Sequence, residues 1–125
     1  FKLFKACLEK KMFYLNNFGN HKRDFTYIHD ATKTLYKIIK KRKKGHKIIN
    51  ICSNRPIKIL DIINHFKKHH YINVKLTKMH RADVKDTHGS NKKLKELVND
   101  FEVSNFYDCF YKTYGWYVKN NIKDL

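Results

Sequence analysis

The chain reads as an α+β protein in which helical and extended stretches alternate. Two observations carry that reading. Apolar residues recur at helical spacing near 1–10, 30–42, 58–69, 91–98 and 105–121. Between these lie short apolar, aromatic or alternating runs near 12–15, 24–28, 47–52 and 73–78, the pattern of strands. A length of 125 residues bounds the chain to one domain with a modest core.

The elements follow in order. Phe1, Phe4, Cys7 and Leu8 form one helical face, and Met12-Phe13-Tyr14-Leu15 follows as a short strand. Asn16-Asn17-Phe18-Gly19-Asn20 is turn chemistry. Phe25, Tyr27 and Ile28 give a strand signal, and Asp30 stands where a helix N-cap would. The helix that it opens has Ala31, Leu35, Ile38 and Ile39 on one face. It runs into Lys40-Lys41-Arg42-Lys43-Lys44-Gly45, where cations suit the exposed carbonyls of a helix end and Gly45 suits a left-handed stop.

Lys47 to Ser53 is apolar at nearly every position, which predicts a strand buried on both faces. Asn54-Arg55-Pro56 breaks it, and Ile59, Ile62, Ile63 and Phe66 then mark a helix with one core face. Asn73 to Met79 alternates as a strand. Ser90 or Asn91 can cap a helix with Leu94, Leu97 and Val98 inward. Ser104 and Asn105 open a last helix carrying Phe106, Cys109, Phe110, Thr113, Tyr117 and Val118 on one face, broadened by Tyr114 and Trp116. An aromatic stripe of this kind reads as core and not as a cofactor box.

Composition narrows the function classes. The net charge of +17 comes from lysines spread along the whole chain, so it speaks for non-specific attraction and not for a nucleic-acid site. His65 and His69 share a helical face, yet no third metal ligand follows at a useful spacing. Cys7, Cys52 and Cys109 match no disulfide framework and point to a reducing cytoplasm. No apolar run has the length of a membrane span, and a chain beginning with Phe1 reads as a mature or truncated piece. The most pointed candidate is Arg23, at a turn-to-strand corner. Arginine grips phosphate oxygens in a planar two-point fork that lysine cannot match. Arg42 lies in the charge block and Arg55 precedes a proline, so neither shares that setting.

Lys22-Arg23-Asp24-Phe25-Thr26-Tyr27-Ile28-His29-Asp30 resembles the RDFTYIDD segment of the extended short-chain dehydrogenase/reductases, the NAD-dependent epimerase/dehydratase family, nearest to its UDP-glucuronate 4-epimerase branch. His29 replaces the first Asp of the DD pair. His80-Arg81-Ala82-Asp83-Val84-Lys85-Asp86-Thr87 resembles the family's QPGDVxxTYAD stretch, which closes over the nucleotide, with Ala82 for its glycine. The last helix resembles the family's GLxxFxxWY ending, and the resemblance runs from about residue 1 to residue 122.

This resemblance implies an α+β C-terminal substrate-binding part of an α/β enzyme. Residues 1–125 would be its nucleotide-sugar-binding portion, and the N-terminal NAD-binding domain would be missing. Arg23 would hold the diphosphate of a UDP-sugar, His80 and Arg81 would donate to phosphate or ribose, and Tyr14 and Leu15 would lie along the base. The complete enzyme would be a homodimer that oxidises a sugar carbon with NAD and returns the hydride to the other face. This chain alone would bind no NAD and supply no catalytic residue. Its glycines, Gly19, Gly45, Gly89 and Gly115, form no Gly-rich turn. Tyr36/Lys40 and Tyr71/Lys75 have the Tyr-x-x-x-Lys spacing of the family's catalytic pair, but the first follows the RDFTY-like segment and the second spans a loop and a strand. Such a piece should expose apolar surface where it would meet the absent domain. The competing readings are a stand-alone basic module for RNA or another polyanion, and an inactive remnant.

Overall fold

The computed structural model describes residues 1–41 and 44–120. Its elements are α1 (Lys2–Leu8), β1 (Phe13–Leu15), β2 (Lys22–Arg23), α2 (Ile28–Lys40), β3 (Ile57–Lys58), α3 (Ile59–Lys67), β4 (Val74–Leu76), α4 (Lys92–Leu97) and α5 (Phe106–Lys119). A single 3-10 turn, Asn16–Gly19, joins β1 to the β2 corner. β1 and β4 pair in parallel, with Phe13 opposite Val74 and Leu15 opposite Leu76. β2 and β3 pair antiparallel, with Lys22 opposite Lys58 and Arg23 opposite Ile57.

The apolar spacing read in α1, α3 and α5 explains the core. Phe4, Ala6, Phe66 and Ile72 are buried together, and Leu3, Phe13, Val74, Phe110, Tyr114 and Tyr117 pack around them. The Phe4 ring sits 4.9 Å from that of Phe110 and 5.3 Å from that of Tyr114, distances at which tilted aromatic pairs attract. A second buried pair, Leu94 and Val98, anchors α4. α5 opens as its sequence suggests: the Asn105 side-chain oxygen accepts from the backbone N–H groups of Tyr107 and Asp108, at 2.9 and 3.2 Å. On the far turns of α5 the stripe ends, and Trp116 and Val118 are about half exposed.

Four expectations are corrected. The strand expected at 24–28 is paired at Lys22–Arg23 instead, and helix begins at Ile28. Asp30 therefore lies in the first turn of α2 and caps nothing there. Its carboxylate accepts from the Ser104 N–H at 2.9 Å and the Ser104 hydroxyl at 2.7 Å, tying α2 to the entry of α5. Second, Leu35 and Ile39 of α2 are 50% and 65% exposed, and Thr34 is its buried residue. Third, the strand expected at 47–52 forms no strand pairing among the described residues, and Ile48 is 76% exposed. The run is apolar enough for a central strand, but among the described residues no strand lies beside it to pair with. Fourth, Asn91 occupies the N-cap position of α4 without capping it. Its buried amide donates to the carbonyls of Cys52 and Ser53, at 3.3 and 3.5 Å.

Part of the basic run after α2, Arg42 and Lys43, lies outside the described residues, as do 121–125. Lys41 is the cap of α2, so Gly45, although left-handed at φ +85°, lies beyond the stop that it was expected to form.

A left-handed turn precedes β2. Asn17, Phe18 and Gly19 have φ of +50°, +52° and +74°, three successive left-handed residues. A Cβ on Gly19 would come within 2.9 Å of Leu15 Cδ2 and of Leu60 Cβ. Gly19→Ala should therefore destabilise the fold by more than about 1 kcal/mol in chemical denaturation. Gly115, in exposed helix with nothing near an added Cβ, should tolerate alanine or gain up to about 1 kcal/mol.

Candidate functional site

The site is built around the corner at Arg23 and Asp24. Asp24 carries the heaviest load of bonds. Its carboxylate accepts from the Ser53 hydroxyl and from the backbone N–H groups of Asn54, Arg55 and Gly89, the last at 2.9 Å. Its own N–H donates to the Thr87 hydroxyl at 3.0 Å. Burial pushes the Asp24 carboxyl up, but bonds from Ser53, Gly89, Arg55 and Asn54 outweigh it and hold the acid below its ordinary value. The approach at Gly89 is close. A Cβ there would lie 2.7 Å from Cys52 Sγ, so only glycine lets its N–H reach Asp24.

Lys22 and Arg23 fasten the neighbouring loop. The Lys22 N–H donates to Asp86 Oδ1 at 2.6 Å, and the Lys22 carbonyl accepts from the Thr87 N–H at 3.1 Å. The Arg23 guanidinium donates to the carbonyls of Lys22 and Lys85, both at 2.8 Å, and of Val84 at 2.6 Å. A guanidinium has five N–H donors, so these three bonds leave about two for an anion. Arg23 is thus half-buried and structural at one end, not a side chain that faces solvent freely.

Between the 3-10 turn and this loop lies a cavity of about 120 Å³, lined by Asn16, Asn17, His21, Arg23, Met79, Asp83 and Val84. Asn16 donates to the Asp83 carboxylate at 2.9 Å and accepts from the Thr77 hydroxyl at 3.0 Å. The ring of His21 has its position set through the backbone, because its carbonyl accepts from the Ile59 N–H at 2.9 Å. Burial, then the Arg23 charge, lower the His21 pKa, against the raising influence of Asp83 and Asp86.

Of the residues expected from the sequence, this cavity includes Arg23. Tyr14 is 59% exposed on β1, with the Lys75 ammonium 6.0 Å from its ring centre. Leu15 is 2% exposed and turns into the core, so the pair alternates as neighbouring strand residues do. His80 and Arg81 are exposed, and the His80 ring accepts from the Ala82 N–H at 3.2 Å. Asn16, Asn17 and His21 were not expected. The signal available for them was their place in, or just after, the Gly19 turn that leads to Arg23, which reads equally as a simple loop.

The rest of the molecule is less polar. A hollow of about 640 Å³ lies among α1, β3, α3 and α5, with Phe4, Phe25, Ile57, Ile63 and Phe106 on its walls. The His65 ring lies tilted 4.0 Å from that of Tyr107 and His70 stacks on Phe66 at 4.5 Å, placing these imidazoles in the aromatic layer. Among the described residues, no helix is long and apolar enough to cross a membrane.

This architecture matches the C-terminal part of nucleotide-sugar epimerases. The chain is 30% identical over 128 residues to a UDP-glucuronate 4-epimerase of Thermodesulfobacterium geofontis, a match covering 96% of this chain and 38% of that protein. It is 29% identical to an uncharacterized protein of Methanocaldococcus jannaschii, over 96% of this chain and 37% of that one. Its fold superposes on the crystal structure of the UDP-glucuronic acid 4-epimerase of Bacillus cereus in complex with UDP-glucuronic acid and NAD, at a TM-score of 0.84 and 25% identity, covering 94% of this chain and 38% of the other. The resemblance to these epimerases is upheld over the chain as a whole, in sequence and in fold, and the chain spans under two fifths of the length of the curated relatives it matches. No family model matches the chain.

Asp24→Asn should cost about 1–3 kcal/mol in denaturant melts, since an amide cannot accept from four donors and turns its own N–H groups toward some of them. The pH dependence has a definite sign. The folded-state pKa of Asp24 lies below its unfolded value, so its contribution is complete above about pH 4 and is lost as pH falls through the folded pKa. Asp24→Asn should flatten the stability curve in that acid range.

Proposed function

We propose that residues 1–125 form the C-terminal, nucleotide-sugar-binding portion of an NAD-dependent epimerase or dehydratase, similar to UDP-glucuronate 4-epimerase. One observation carries the reading: the RDFTYIDD-like segment and the 80–87 loop are locked together through Arg23 beside a small polar cavity, in a chain that superposes on an epimerase crystallised with UDP-glucuronic acid and NAD. In this reading the free N–H donors of Arg23 meet the diphosphate of a UDP-sugar, with His80, Arg81 and the exposed Tyr14 at the edge of the same region and Leu15 offering backbone only.

In this reading the chain does not itself hold NAD. The strand-to-helix passage from β3 to α3 is capped by Lys58, and no glycine stands there to let backbone N–H groups approach a pyrophosphate. The hydride chemistry would thus belong to NAD on a separate N-terminal domain. The exposed Leu35 and Ile39 on α2 and the exposed Ile48 support such a domain, since they offer apolar surface to it. We place the complete enzyme as a homodimer in the cytoplasm, consistent with three free cysteines.

Titration calorimetry with UDP-glucuronate tests the reading. Binding by the unaltered chain supports it, and its absence overturns it. Arg23→Ala should weaken that binding by roughly 1.5–3 kcal/mol, and Arg23→Lys should recover part of the loss. Affinity within about twofold of the unaltered chain, with a lower melting temperature, would make Arg23 a loop fastener alone. Titration with NAD should give no heat above buffer, and micromolar binding would contradict the division of roles.

A further inference from the structure

α2 is seated on the protein by its polar face and turns an apolar face outward. Inward, Thr34 is buried and the Asp30 carboxylate accepts from Ser104. The Lys37 ammonium donates to the carboxylate of Asp100 and, at 3.1 Å, to its carbonyl. Outward, Ile28, Leu35, Tyr36 and Ile39 are each at least half exposed, and their spacing sets them on one side of the helix. The domain proposed above would cover Leu35 and Ile39; in residues 1–125 alone the whole stripe is open.

Charge decides what suits this stripe. Lys33 and Lys40, one turn either side of Tyr36, are exposed beside it, and exposed Lys41 follows at the helix end. The Lys40 ammonium stands 4.6 Å from the centre of the Tyr36 ring, so cation and apolar surface are presented together. Asp30, the single acid of α2, is held by Ser104, and Asp100 is taken by Lys37. A purely apolar partner surface would strip these ammonium groups of water and leave them unpaired. An anionic bilayer complements both features: its acyl boundary takes the stripe while headgroup phosphates meet the lysines. A chain of charge +17 is also drawn to such a surface from a distance. With 13 residues α2 is too short to span a bilayer, so it would lie in the plane of the interface. We propose that α2 is a membrane-surface helix that lays Ile28, Leu35, Tyr36 and Ile39 into a bilayer containing anionic lipid.

The test is co-sedimentation of residues 1–125 with phosphatidylcholine vesicles, pure or carrying about 30% phosphatidylserine. Binding should rise about tenfold or more with phosphatidylserine and fall in about 0.5 M salt. Leu35→Ser with Ile39→Ser should weaken it about tenfold, and Lys33→Glu with Lys40→Glu by a similar factor. Lys67→Glu with Lys68→Glu makes the same change of net charge on exposed lysines at the end of α3, and should cost less than about threefold. An equal loss from the α3 pair would mean attraction by net charge alone and overturns the assignment to α2. Unchanged binding by the double serine variant overturns it as well. A chain left in solution by both vesicles also overturns it; self-association that is lost in the serine variant would then mark a second copy as the occupant. Should that variant fail to fold, Tyr36→Trp in a Trp116→Phe background decides. A blue shift of its emission on phosphatidylserine vesicles supports the proposal, and an unmoved emission overturns it. None of these results bears on the UDP-glucuronate titration, so the proposed function stands or falls separately.

Discussion

The polar half of the structure depends on one carboxylate. Asp24 gathers the start of the 53–55 turn and the end of the 80–89 loop, segments far apart in sequence that share no regular strand pairing. Short strands of two and three residues contribute few ladder bonds, so the fold relies on such cross-links to fix its loops. Because Asp24 takes several bonds in its charged form, the acid is stabilised as an anion by backbone dipoles and not by a basic side chain. That leaves the adjacent Arg23 free of an ion-pair role with it, and its charge is directed at carbonyls and at the cavity.

The apolar half rests on a separate device. Phe4, Phe66, Phe110 and Tyr114 interlock where α1, α3 and α5 meet, and the parallel pair β1–β4 carries Phe13 and Val74 to the edge of that cluster. β1 then delivers the chain into the left-handed turn, so the rigidity of the aromatic cluster is transmitted to Asn16, Asn17 and His21. Site and core are joined by Leu15 and Gly19, whose close contact leaves no room for a side chain between them.

Helical periodicity made α1, α3 and α5 legible, because each buries its stripe within this chain. The Arg23–Asp24 corner was legible as a motif, but its bonding was not. Nothing local announces that Arg23 donates to carbonyls some sixty residues away, or that Asp24 reaches Gly89. The α2 face and the run at 47–52 were misread for the opposite reason. Their apolar pattern is genuine, and the inference that the partner lies within the same residues is what failed. Asp30 and Asn91 are instances of one more ambiguity: both are good cap residues by type, and both are used for long-range bonds instead.

The extended run around Ile48 has a consequence for how copies of the chain behave toward one another. An apolar run outside any strand, with Ile48 exposed, can pair edge to edge with another copy. A charge of +17 opposes that encounter by mutual repulsion, and the repulsion is strongest in dilute salt. At physiological ionic strength, with a screening length of about 8 Å, the barrier shrinks while the edge is unchanged. The lysine excess thus acts as a colloidal stabiliser for an otherwise adhesive edge, and its protection is set by the ionic strength of the surroundings.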